Sequence, residues 1–204
     1  LQAVHVTRFP LGVTDLGKEL QAAREAGANV IFSYTVGPEE AVIANSRKDI
    51  GWKVPLVGAW PLSFPFFIDG AKDAADGALM AQTFIAEPSN ERRAAFLTNF
   101  KRKHGERMAV PMAAAQGYDA TYLLTYALFG IRDGKLDGPA VKNALENIKR
   151  VYYGVVATYE RPFTPEDKDA ITQNMLVMGK VHNGAITFAY PEDAKRNLIV
   201  QRKK

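Results

Sequence analysis

The sequence predicts an α/β fold, a Rossmann-like parallel-sheet lobe with additional helices that belong to a second lobe. Two observations carry this. Strand-like and helix-like segments alternate through the first third of the 204 residues, and strands joined by single helices imply right-handed crossovers and a parallel sheet. Three helical segments then follow one another with no strand between them, before a β-rich end that carries the tight-turn dipeptide Asn183-Gly184.

Taken in order, residues 1–9 read as an opening strand. Thr14-Asp15 starts a helix with Leu16, Leu20 and Ala23 on one face, and Gly27 ends it. Residues 28–34 form a buried strand. Gly37-Pro38-Glu39-Glu40 opens the next helix, because proline suits the first turn and an acidic pair suits the positive end of the helix dipole. That helix runs to Asp49. Strands are expected at 54–58 and 78–85. The helical segments at 90–104, 112–131 and from Pro139 present Phe96, Phe100, Leu123, Leu124, Val141 and Leu145 as apolar positions. With no strand of their own between them, they are expected to cover a sheet supplied from elsewhere. The middle one also carries Tyr118, Tyr122 and Tyr126 every four residues, an aromatic stripe at helical spacing. Strands follow at 152–159 and 174–181, and Asn183-Gly184 turns the second of them into a partner at 185–189.

Composition narrows the function. A hydrophobic fraction of 47% and a charged fraction of 24% suit a folded domain with a core. The net charge of +4 is spread over Arg92 and Arg93, Lys101 to Lys103, Lys149 and Arg150, and a tail of Arg202, Lys203 and Lys204. Such runs read as solvated faces, and no aromatic-interleaved basic surface suggests a nucleic-acid partner. There are no cysteines, which excludes thiolate metal sites and cysteine nucleophiles. The apolar runs are interrupted, 111–131 by Gln116 and Asp119 and 54–68 by three prolines, so no membrane span is expected.

No catalytic constellation stands out. His5, His104 and His182 lack ligand spacing, and no nucleophile elbow or glycine-rich phosphate loop is present. Glu166, Asp167 and Asp169 follow Thr164-Pro165 and read as a capped turn. No catalytic residue, metal or cofactor is assigned. What remains is the aromatic and proline-rich segment 60–67 at a strand's carboxyl end, where open α/β sheets place their ligands. It reads either as an apolar plug or as a ligand wall.

In order and spacing the chain resembles the branched-chain amino-acid type of periplasmic solute-binding protein, the two-lobed type I component of ABC importers. The residues that carry the resemblance are Thr14-Asp15-Leu16 with Gly27, Val30 to Tyr34 leading to Pro38-Glu39, Val54 to Gly58, Asp76-Gly77-Ala78, Gln116 to Ala120, and Tyr159 to Phe163. The resemblance implies that 1–86 begin the carboxyl-terminal lobe, that 87–171 are contributed to the amino-terminal lobe, and that 172–204 complete the first. It also implies that most of the amino-terminal lobe is missing from this sequence and is a required partner. Ligand contacts would then fall at Val36 with Tyr34 close by, at Trp60 and Leu62, and from the other side at Ala113 and Gln116, whereas Tyr118 would be core and Asp119 helix surface. Amino-acid-binding members place an acid where Trp60 stands. The departure points to an aromatic or other non-amino carboxylate, bound without chemistry in the periplasm and passed to an importer's membrane subunits. A branched-chain amino acid, a ligand sensor of the same fold and an enzyme with an unfamiliar site are the alternatives.

Overall fold

The computed structural model describes residues 2–105, 108–196 and 200–202. Leu1, Lys203 and Lys204, to which part of the opening strand and of the basic tail was assigned, lie outside the described residues. In chain order the elements are α1 (Gly17–Glu25), β1 (Ile31–Ser33), α2 (Glu39–Asp49), β2 (Leu56–Gly58), a 3₁₀ turn (Trp60–Ser63), α3 (Pro65–Ala71), a second 3₁₀ turn (Lys72–Ala75) and β3 (Leu79–Gln82). There follow α4 (Glu91–His104), α5 (Pro111–Gly130), α6 (Gly138–Glu146), β4 (Tyr152–Tyr153), β5 (Thr158–Arg161), β6 (Val177–His182), β7 (Ala185–Phe188), α7 (Pro191–Ala194) and β8 (Val200–Arg202). The chain divides into two compact units, Leu1–Ile85 with Met178–Pro191 and Ala86–Val177 with Glu192–Lys204.

The first unit holds a five-stranded sheet in the order β1-β2-β3-β6-β7. β1, β2 and β3 run parallel, with Ser33 opposite Gly58, while β6 and β7 form an antiparallel hairpin. Asn183 and Gly184 both take positive φ, 50° and 72°, as a two-residue hairpin turn demands. The core gathers Leu16 and Leu20 from α1, Ala41, Ile43 and Ala44 from α2, Leu56 and Met80 from the sheet, and Leu62 and Phe67 from the segment after β2. Each of the leucine, isoleucine, methionine and phenylalanine side chains contributes about 1.5–3 kcal/mol by leaving water, the alanines less. α1 starts where Thr14-Asp15 signals it: Asp15 Oδ1 accepts from Gly17 N, and Ser46 Oγ on α2 accepts from Leu16 N and donates to Asp15. The predicted opening strand does not form. Residues 2–8 contain no strand, and all but half-buried Thr7 are exposed, for a strand holds only where a neighbour takes up its backbone donors and acceptors.

The second unit holds a small sheet of its own. β4, β5 and β8 form their own three-stranded sheet, β4 antiparallel and β8 parallel to β5. The predicted strand at 152–159 is in fact two short strands folded onto each other, pairing Tyr152 with Tyr159. The core joins Leu123 and Ala127 of α5 to Ile148, Tyr152, Ala157, Tyr159 and Met175. Residues 172–204 were read as one piece with the first unit; Met175 instead packs in this core and β8 pairs here. α4 is capped by Asn90, whose Oδ1 accepts from Arg93 N, and ends at Gly105 with φ 74°. Asp137 caps α6 in the same way. Of the six apolar positions named on the middle helices, Phe96 and Leu123 are buried, Leu124 is exposed, and Phe100, Val141 and Leu145 are half-buried.

The Arg92–Arg93 pair is not a solvated face. The Arg93 guanidinium is buried, donating to Val155 O and Ser89 Oγ, while Arg92 donates to Gly154 O and Thr158 Oγ1 and lies over the Tyr153 ring. Burial holds the Arg93 pKa below its ordinary value, against a pull upward from Asp119.

Candidate functional site

The ends of β1 and β2 bring three predicted positions to one edge of the first unit. Because Ser33 and Gly58 are in register, the chain leaves the sheet at neighbouring points, through Tyr34 from one strand and Ala59-Trp60 from the other. Tyr34 is 86% exposed, Val36 57% and Trp60 46%. All three side chains are therefore available for contact.

The Trp60 segment is built rigidly. Pro61 opens a 3₁₀ turn in which Ser63 Oγ donates to Trp60 O and Phe64 N donates to Pro61 O. The Trp60 ring leans on Phe64 at 5.2 Å, and Phe64 on Phe66 at 5.4 Å. Leu62 corrects the sequence reading. Its side chain is 0% exposed and lies in the core, so it supports the wall from behind and presents no surface to a ligand. It packs so tightly over β2 that a Cβ on Gly58 would lie 2.6 Å from Leu62 Cδ1. The segment 60–67 contains no carboxylate.

Between Tyr34 and α2 the chain turns at Gly37 with φ 106°. The acidic pair that signalled the helix start then splits. Glu39 Oε1 accepts from Gly12 N at 2.7 Å, and this bond holds its carboxyl below the ordinary range. Glu40 points inward and is fully buried.

Ala113 and Gln116 lie on α5 of the second unit, three residues apart, Ala113 exposed and Gln116 half-buried. The same helix reverses the expectation for the next pair: Tyr118 is exposed and Asp119 is core, 1% exposed. Asp119 Oδ1 accepts from Val155 N and the Tyr152 hydroxyl, and Oδ2 from Val156 N and the Tyr159 hydroxyl. Burial pushes this carboxyl above its ordinary value, and the two backbone donors and two hydroxyls pull it back. Tyr122, Tyr152 and Tyr159 stack beside it. The cluster is a structural clasp between α5 and the β4–β5 turn, with both Asp119 oxygens engaged within the unit.

The remaining candidates have local roles. Thr164 Oγ1 accepts from Asp167 N and Asp167 Oδ1 from Asp169 N, so the acidic segment is the capped turn its sequence suggests. His182 lies 3.8 Å from Asp76 on an exposed hairpin, and His5 bonds Thr7. Among the described residues no group of three or more His, Cys, Asp or Glu is placed to hold a metal ion, and no helix is long and apolar enough to cross a membrane. A cavity of about 830 Å³ opens at the end of α5, lined by Tyr126, Phe129, Arg132, Asn143 and Arg150 among others; none of the six predicted ligand positions borders it.

A profile of the periplasmic binding protein family matches residues 1–185. The chain belongs to that family. Its fold is that of type I binding proteins. It is similar to the leucine-binding protein LivK of Thermotoga maritima (22% identity, TM-score 0.71, covering 91% of this chain and 51% of that one). It is similar also to the LivJ branched-chain amino-acid transporter substrate-binding protein of Streptococcus pneumoniae in complex with isoleucine (20%, 0.68, 87% and 48%). A third similar structure is an ABC-transporter solute-binding protein of Rhodopseudomonas palustris in complex with benzoate (13%, 0.63, 89% and 48%). The chain thus spans about half the length of these structures. No curated protein sequence matches it.

Proposed function

We propose that this chain binds a small carboxylate solute, aromatic or otherwise lacking an amino group, for ABC-type import, and performs no chemistry on it. Membership of the periplasmic binding protein family supports solute binding outside the cytoplasm. The observation that carries the finer reading is the wall at the ends of β1 and β2. Tyr34 and Trp60 offer aromatic faces, and the segment around Trp60 offers no anionic acceptor. A desolvated α-ammonium needs a carboxylate or several acceptors. An indole supplies a cation–π contact worth about 0.5–2 kcal/mol, less than that burial demands. A flat apolar body stacks on the same wall at no such cost.

On this reading the first unit is the carboxyl-terminal lobe and the second consists of elements contributed to the amino-terminal lobe. The rest of that lobe is the partner segment, and an importer's membrane subunits recognise the loaded form. A branched-chain amino acid is the competing ligand, favoured by the names of the LivK and LivJ structures.

Isothermal titration of the complete two-lobed protein, partner segment included, separates the two. Benzoate is expected to bind more tightly than leucine and to be recovered unchanged. Trp60→Ala should weaken benzoate binding by about 1–3 kcal/mol, the scale of one large aromatic contact. Tight leucine binding without benzoate binding, turnover of the ligand, or an unchanged affinity in Trp60→Ala would each overturn the reading.

A further inference from the structure

Glu40 is the most anomalous group in the first unit. Its side chain is 0% exposed, and neither Oε atom has a hydrogen-bond partner among the described residues. Ser33 Oγ at the end of β1 and Gln82 Nε2 at the end of β3 are buried and unpartnered in the same way. One residue on, α2 packs closely on α3: a Cβ on Gly70 would lie 2.9 Å from Ala41 Cβ. The residues that flank Glu40 in α2, Ala41, Ile43 and Ala44, are core.

The charged groups around it are engaged elsewhere. On α2 itself, Glu39 accepts from Gly12 N, Arg47 donates to Val54 O and Ala74 O, and Lys48 pairs with Asp73 of the second 3₁₀ turn. Before α1, Asp15 is held by Gly17 N and Ser46 Oγ; on α1, Arg24 reaches Ile50 O and Gln21 bonds Glu25. Lys18 on α1, Asp69 on α3 and Lys72 after it are exposed, and Glu19 is half-buried. None of these groups is hydrogen-bonded to the Glu40 carboxyl or paired with it.

A carboxylate in such a place would be an unpaired buried charge, so the neutral acid is the form that fits. The positive end of α2 offsets only part of the cost. Glu40 sits in the first turn of α2, directly after the 34–38 loop that carries Tyr34 and Val36 and bends at Gly37. We propose that Glu40 must be protonated for the first turn of α2 to stay seated in the core, and that loss of its proton loosens this turn with the 34–38 loop joined to it (Glu40 N donates to Gly37 O) and weakens solute binding at Tyr34 and Val36, an inference that rests on the solute-binding reading above. Glu40 is a positioning residue: it acts through the loop and touches no ligand.

Burial pushes the Glu40 carboxyl from 4.5 up to about 8. Because the folded value is the raised one, the stabilisation is complete below the unfolded value. It declines as pH rises, because the unfolded chain then releases a proton the folded chain retains, and is lost through pH 8.

Hydrogen–deuterium exchange of the whole chain between pH 6.5 and 9.5, corrected for intrinsic rates, reads the loop without any ligand. Amides of 34–42 are expected to lose protection about tenfold from pH 6.5 to 8 and little more above it, while those of β4 and β5 hold theirs. Glu40→Gln should hold the loop's protection across the range; if that variant does not fold, Glu40→Leu carries the same expectation. In parallel the benzoate dissociation constant should rise about tenfold from pH 8 to 9.5 in the parent and stay flat in the variant. Constant loop protection in the parent, or an equal loss in the uncharged variant, overturns the proposal. If benzoate fails to bind at every pH, the solute reading fails, and the exchange measurement still decides whether protonated Glu40 holds the turn and its loop.

Discussion

Asp119→Ala is expected to destabilise the second unit by about 3–5 kcal/mol. The substitution removes the acceptors of four buried donors: Val155 N, Val156 N and the hydroxyls of Tyr152 and Tyr159. Each buried donor left unpaired costs about 1–3 kcal/mol, and partial relaxation keeps the total below the sum. The Arg93 guanidinium, itself buried, also loses the negative charge that offsets its desolvation. Asp119→Asn should cost less, about 2 kcal/mol, because one oxygen still accepts while the amide N–H₂ confronts donors. Urea unfolding followed by tyrosine fluorescence reads the global effect, and exchange at Val155 and Val156 reads the local one. A loss below about 1 kcal/mol for Asp119→Ala would show that the cluster is not the clasp described.

The same cluster marks where the sequence was legible and where it was not. Elements with a clear period were readable: α1 from Leu16 and Leu20, α2 from Pro38 onward, and the hairpin from Asn183-Gly184. The run at 152–159 looked like one strand because β-formers dominate it, yet Gly154 sits inside it. A glycine in a strand-like run signals a bend or a close approach. Here a Cβ at Gly154 would lie 2.4 Å from Asp119 Oδ2, so the chain folds back around the carboxylate. Asp119 itself could not be placed, since an acid on a helix is usually exposed and its four donors arrive from thirty or more residues away. Glu39 and Glu40 were both assigned to the dipole. Adjacent helical residues point in different directions, so only Glu39 reaches an outer partner, Gly12 N, while Glu40 turns inward. For the candidate site, Trp60 was legible as a strand-end residue, while Tyr34 and Val36 came from the family resemblance. Leu62 was not, because a 3₁₀ turn alternates its exposure on a period that the sequence pattern does not announce.

Leu62→Ala is expected to cost the first unit about 2–5 kcal/mol, as for other fully buried leucines whose cavity cannot collapse. Collapse is limited here because the surrounding core, Leu56, Phe67 and Met80, is itself fully buried. Trp60→Ala, two residues away, should change stability by less than about 1 kcal/mol, since 46% of the indole already faces solvent. The pair therefore separates support from contact: one variant loses stability, the other loses affinity. Gly58 supplies an internal check. In the parent a Cβ there meets Leu62 Cδ1 at 2.6 Å and Ser33 O at 3.0 Å, so Gly58→Ala is destabilising through overpacking. Once Leu62 is alanine the first of these contacts is gone, and the added methyl fills part of the cavity. The double variant should be more stable than the sum of the single effects predicts, by about 1–2 kcal/mol. Thermal unfolding of the four proteins of this cycle, monitored by tryptophan emission, provides the measurement. Additive effects, or a Leu62→Ala variant as stable as the parent, would place Leu62 outside the core and restore it to the ligand wall.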